Sequence, residues 1–162
     1  MADSGNLLST LVNSYTGALI SVSQTVGIDA EFLKSEIASG INAPGSRAAA
    51  LIGIVGGAVH STASLMVDMQ SFEAYVKAFT GGMVKADTED PMSMSVLGEL
   101  TNMISGQALI KANIPGLDIT PPQMLSGENI KAIPPKKSDV KSFTLPFRVE
   151  GGKVFLILSV HG

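Results

Sequence analysis

The chain of 162 residues contains no cysteine. That excludes a disulfide framework, a thiolate metal site and a cysteine nucleophile, and it fits a reducing compartment. Charge is scarce as well: charged residues make up 15% of the chain, with 11 basic and 14 acidic groups and a net charge of −3. An electrostatic nucleic-acid binder needs clustered Lys and Arg. Here the only tight basic group is Lys136-Lys137 in "PPKK", so no nucleic-acid partner is expected. Just two histidines occur, His60 and His161, far apart in sequence. His60 reads as a core or edge residue of a strand and His161 as part of a frayed end. The one acidic cluster, "DTED" (87–90), reads as a solvated linker, so the chain is expected to hold no metal of its own. Phosphate-loop, dinucleotide, zinc-protease and serine-hydrolase motifs are all missing. An enzyme built on this sequence has to borrow chemistry from a partner.

Two long uncharged runs resemble membrane segments without being convincing ones. Residues 4–28 are rich in Ser, Thr and Asn and follow Asp3 where a secretory signal would have basic residues. Residues 48–67 reach spanning length, but Gly56-Gly57, His60 and several hydroxyls interrupt them, a pattern better suited to buried strands. The expectation is a soluble, cytoplasmic protein with no membrane segment. With 45% hydrophobic residues the chain can bury a sizeable core, and one domain over 1–162 is expected.

Periodicity sets out the elements. Leu8, Leu11, Val12, Tyr15, Leu19, Val22 and Val26 recur at helical spacing. "FLKSEIASGI" (32–41) reads as a short extended stretch punctuated by "APGS" (43–46). "RAAALIGIVGG" and "AVHSTASLMVD" read as strands meeting at Gly56-Gly57. "SFEAYVKAFTGG" (71–82) has a capping-type serine and a glycine end, the punctuation of a helix. A further helix is predicted over 93–112, after the acidic linker "KADTEDP". "LDITPPQMLSG" suggests a strand broken at Pro121-Pro122, followed by a polar loop, and the tail from Lys141 divides at "EGGK" into a second hairpin. The fold class is α+β, helices packed on a largely antiparallel sheet.

The 93–112 helix carries the most informative pattern. At ~100° per residue, Ser95, Glu99, Asn102 and Gly106 share one narrow stripe, while Leu97, Leu100, Ile104 and Ala108 lie about opposite. Burying the Leu/Ile face turns Glu99 and Asn102 outward. A solvated polar face is the ordinary reading. Against it, Asn costs roughly 0.5 kcal/mol and Gly roughly 1 kcal/mol inside a helix, and nothing local requires either. Val96 and Met103 flank the stripe and are expected to be exposed, as a docking surface would need.

The run "SVLGELTNMISGQA" resembles the signature helix of the chemotaxis phosphatases CheC and CheX and their FliY relatives. Their pattern is Asp or Ser, three residues, Glu, two residues, Asn, then a proline about twenty residues on. Ser95, Glu99 and Asn102 match it, with Ser in place of Asp, and either Pro121 or Pro122 can be the proline. The likeness extends to the N-terminal helix, "GIVGGAVHSTASLMV", the "FTGG" helix end and the closing hairpin. CheC-type members carry two such helices. Here the first helix offers only "STLVN" (9–13), without the glutamate, and a chain with a single motif resembles CheX.

That resemblance implies a CheC-like fold, a homodimer and a hydrolase acting on the phosphoaspartate of a CheY-like response regulator. It assigns Asn102 to the attacking water and Glu99 to the regulator's lysine, with Ser95, Val96, Met103 and Gly106 as the surrounding binding surface. The Mg²⁺ belongs to the regulator, and no cofactor of the chain's own is implied. A module of the same fold that docks a regulator or a flagellar component without hydrolysis is the alternative.

Overall fold

The computed structural model describes residues 4–57, 59–128 and 140–161. The chain opens with helix α1 (Ser4–Thr25) and a split edge strand, β1 (Ala30–Phe32) and β2 (Ala38–Ser39), interrupted by one helical turn at Lys34–Glu36. A long hairpin follows, β3 (Ala48–Gly56) and β4 (Val59–Val67), then helices α2 (Met69–Thr80) and α3 (Pro91–Ala112). A second split edge strand, β5 (Asp118–Ile119) and β6 (Gln123–Ser126), precedes a second hairpin, β7 (Val140–Val149) and β8 (Gly152–His161). The expected Lys136-Lys137 pair and polar loop fall outside the described residues.

Every strand pairing is antiparallel, in the order β1-β7-β8-β4-β3-β5, with β2 also on β7 and β6 also on β3. Each half of the chain therefore runs helix, split edge, hairpin, and each half's edge pairs with the other half's hairpin. The two halves meet where β4 pairs β8, from Ser61↔Val160 to Val67↔Val154.

Local chemistry accounts for the boundaries. The β7–β8 turn places Glu150 at φ 49° and Gly151 at φ 82°, the left-handed pair that a two-residue hairpin requires. Helix α2 is capped by Asp68, not by the serine expected. The Asp68 carboxylate accepts from Ser71 N at 2.9 Å and, from across the sheet, Lys153 N at 2.8 Å. Helix α3 starts two residues earlier than expected, with Asp90 accepting from Met92 N at 3.1 Å and Pro91 in the first turn. Asn113, at φ 52°, ends it.

Side chains alternate across the strands, so one sheet face carries Ala48, Ala50, Leu65, Leu145, Phe147, Leu156 and Leu158 into the core beneath the helices. Leu11, Tyr15 and Leu19 of α1 meet Leu97, Leu100 and Ile104 of α3 in that core. The opposite face has a small cluster, Ala49, Met66, Phe155 and Ile157, partly covered by Ile41 and Ala43. His60 is exposed opposite Val55 beside the first hairpin turn, so it is not a core residue. His161 is not frayed: it closes β8, paired with Val140. Among the described residues, no helix is long and apolar enough to cross a membrane.

Candidate functional site

Helix α3 lies between α1, α2 and the β3–β6 side of the sheet, and its outer surface is the stripe marked by the sequence. Leu97, Leu100, Ile104 and Ala108 are buried, as the pattern required. Ser95 and Glu99 are exposed and Asn102 is half-buried. Among the described residues, neither Glu99 nor Asn102 has a side-chain hydrogen bond or an ion pair, so both polar groups are available to a partner. Ser95 is already engaged, its Oγ donating to Met92 O at 2.7 Å. At Gly106 a Cβ would find nothing within 4 Å, which leaves open space along the stripe.

The β5–β6 link fixes one side of this surface. Thr120 bridges it to β3, its N donating to Gly53 O at 2.9 Å and its Oγ1 accepting from Gly53 N at 2.8 Å. Pro121 and Pro122 follow where strand pairing is interrupted, and neither has an N–H to contribute. Pro121 is exposed, whereas Pro122 is half-buried against α3. A Cβ on Gly98 would lie 3.5 Å from Pro122 Cγ and 2.9 Å from Met124 Sδ. Of the two candidate prolines, Pro122 is the one that abuts the helix, one residue from Glu99.

Two expectations need correction. Val96 is not exposed: it is 9% accessible and joins the core cluster. Met103 is half-buried and packs against the same cluster. With α1 and α2 flanking it, α3 has a wider buried arc than a helix resting on a sheet alone. The apolar groups that are exposed near the stripe are Met92 and Ile110 on α3 and Met124 on β6, none of them marked by the sequence reading. Met92 and Ile110 carried a signal, since both continue the stripe at helical spacing; Met124 arrives through a tertiary contact.

The first helix shows why there is one motif and not two. With Ser95 set against Ser9, buried Met94, Leu97, Thr101, Ile104 and Ala108 fall on buried Leu8, Leu11, Tyr15, Ala18 and Val22. Glu99 then falls on Asn13 and Asn102 on Thr16. The Glu and Asn identities are both lost from α1, where Thr16 Oγ1 instead donates to Val12 O at 2.7 Å, while the packing is kept.

A model of the family "Chemotaxis phosphatase CheX" matches residues 48–148, a span that contains all of α3 and the β5–β6 link. The chain belongs to the CheX family. A curated relative, the CheY-P phosphatase CheX of Thermotoga maritima, is 33% identical over 126 residues, covering 75% of this chain and 78% of that protein. A CheC-like superfamily protein from Shewanella sp. PV-4 matches with a TM-score of 0.80 at 22% identity, over 94% of this chain and 98% of that one. A chain of a CheX–CheY–BeF₃–Mg²⁺ complex from Borrelia burgdorferi matches with a TM-score of 0.70 at 18% identity, over 93% of this chain and 97% of that one. At these identities the two solved structures establish a CheC-like fold for this chain. The expected α+β arrangement, helices packed on a largely antiparallel sheet, is the observed one.

Proposed function

We propose that this chain hydrolyses the phosphoaspartate of a CheY-like response regulator, with Asn102 holding the attacking water and Glu99 pairing with the regulator's lysine. The observation that carries the reading is the uncommitted Glu99 and Asn102 on the outer face of α3, in a member of a chemotaxis phosphatase family. Hydrolysis needs a water in line with the phosphorus; its oxygen attacks as the bond to the aspartate carboxylate breaks. Positioning and electrostatics supply most of the catalysis in such a transfer. An amide suits the task, because its oxygen accepts from the water while its NH₂ donates to a phosphoryl oxygen. Glu99 contributes a charge-assisted contact that sets the register of α3 in the regulator's site.

Mg²⁺ is commonly held by one or two carboxylates together with phosphoryl oxygens and waters, and a solved complex of this fold, from Borrelia burgdorferi, combines CheX with CheY, BeF₃ and Mg²⁺. Among the described residues of this chain no cluster of three or more potential ligands occurs. The proposed reaction leaves that ion with the regulator, where it neutralises phosphoryl charge. The homodimer and the cytoplasmic location belong to the same reading. The dimer draws support from β6, whose four residues are all exposed and which, among the described residues, pairs only with β3.

The test is inorganic phosphate release from a phosphorylated CheY-type regulator supplied in excess over the chain. Release over many turnovers is expected. Stoichiometric binding without release would instead identify a docking module of the same fold.

A further inference from the structure

Seven large hydrophobic residues are exposed among the described residues, and three border the Glu99–Asn102 stripe: Met92 (65%), Ile110 (80%) and Met124 (40%). Isolated exposed apolar groups are ordinary on protein surfaces; their grouping around one functional feature is not. At ~100° per residue, Met92 and Ile110 project within ~20° of Glu99, on the edge of the stripe away from Asn102. Met124 reaches the other edge, where it rests over Gly98. The polar pair is thus bracketed by apolar groups on both sides.

We propose that Met92, Ile110 and Met124 are the apolar anchors by which α3 selects its response regulator. The proposal rests on the regulator-docking reading of α3 above, which names the occupant of this surface; it does not require that hydrolysis follow. Met92 and Ile110 are 18 positions apart, about 27 Å along the helix axis. That matches the breadth of a standard protein–protein patch, about 800 Å² on each partner. Glu99 and Asn102 lie between them, in the middle third. Polar catalytic groups at the centre then meet the regulator's active site, while contacts at the periphery differ from one regulator to another. Methionine suits that role, since its flexible thioether fills shallow, irregular depressions. Gly106, one turn before Ile110 and open above, leaves a dip into which a neighbouring main chain fits.

The geometry separates recognition from chemistry, and so does the test. A CheY-type regulator from the same organism, loaded with BeF₃ and Mg²⁺, is titrated against wild type, Met92→Lys, Ile110→Lys and Met83→Lys. Met92 and Ile110 are exposed on α3; lysine is a good helix former at Ile110 and in the first turn at Met92 opposes the helix dipole by only about 0.3–1 kcal/mol, so both variants fold. Met83, 90% exposed in the α2–α3 connection, is the control. Each anchor variant is expected to weaken Kd roughly tenfold, the effect of losing one interface anchor, and to raise KM while kcat is kept. Met83→Lys should bind as wild type does. Anchor variants with unchanged Kd would overturn the proposal. Wild type that binds without hastening phosphoaspartate decay would overturn the catalytic reading alone, leaving the anchors to be judged on Kd. Wild type that binds no regulator of its organism would overturn both.

Discussion

Gly98 and Met124 touch across the edge of the candidate site: a Cβ on Gly98 would stand 2.9 Å from Met124 Sδ. The contact, with Pro122 beside it, seats the β5–β6 link on α3 one residue from Glu99. The orientation of α3 depends on this packing.

Gly98→Ala should be tolerated, because the crowded atom is the far end of a flexible side chain that can swing away. Gly98→Val should not, since a branched side chain also reaches Pro122. We expect Gly98→Val to cost about 1–3 kcal/mol and to lower kcat, while Gly98→Ala stays near wild type in both. Thermal melts and regulator decay rates, run in parallel, check the pair.

Gly106→Ala separates folding from docking. With nothing within 4 Å of the new methyl, the helix should gain up to about 1 kcal/mol, raising Tm by about 2–4 °C. If the open position receives the regulator's main chain, affinity should fall despite the gain in stability. Calorimetry and a binding titration on the same preparation give the two numbers.

Glu99→Gln keeps shape and removes charge. An exposed ion pair across an interface is screened by salt, so wild-type KM should rise with ionic strength. The variant should start with a higher KM, by up to roughly fivefold, and respond less to salt. Decay assays over a salt series measure both slopes.

Tyr15 and Tyr75 give a pH signature of the core. Burial, the largest cause, pushes both phenols up to about 12. Neighbouring hydroxyls oppose the shift. Ser23 shares a 2.7 Å hydrogen bond with Tyr75, while Tyr15 lies beside Ser105 with neither hydroxyl completing a bond among the described residues. In the unfolded chain both titrate near 10. From pH 10 to 12 the unfolded state therefore holds fewer protons than the folded one, and stability falls as pH rises. The slope is about 1.4 kcal/mol per pH unit for each tyrosine; below pH 10 neither contributes. Tyr75→Phe should halve the alkaline slope and cost about 1 kcal/mol at neutral pH through the lost Ser23 bond. Tyr15→Phe should halve the slope at little neutral cost. Denaturant melts from pH 8 to 12 test both.

The parts of this molecule legible in the sequence were those determined within a dozen residues. Gly56-Gly57 and Glu150-Gly151 mark hairpins because the turn itself demands left-handed backbone, which Gly57, Glu150 and Gly151 supply. The Leu97, Leu100, Ile104, Ala108 repeat gives the buried side of α3 for a similar local reason. What stayed hidden depends on neighbours distant in sequence. Val96 is buried because α3 is flanked by helices as well as resting on the sheet. Asp68 wins the α2 cap over Ser71 because Lys153 N reaches its carboxylate from β8. Pro122 is separated from Pro121 only by its contact with Gly98. Met92 fell outside the expected helix because Asp90 and Pro91 start α3 earlier than the apolar run does.

In the proposed reaction Asn102 serves chemistry and Glu99 serves docking. The most direct test is the decay of a phosphorylated CheY-type regulator with wild type, Asn102→Ala and Glu99→Ala, at limiting and at saturating regulator. Wild type should accelerate decay, Asn102→Ala should abolish the acceleration while still binding, and Glu99→Ala should lose it chiefly through KM. Decay that Asn102→Ala sustains at the wild-type rate would contradict that division of roles.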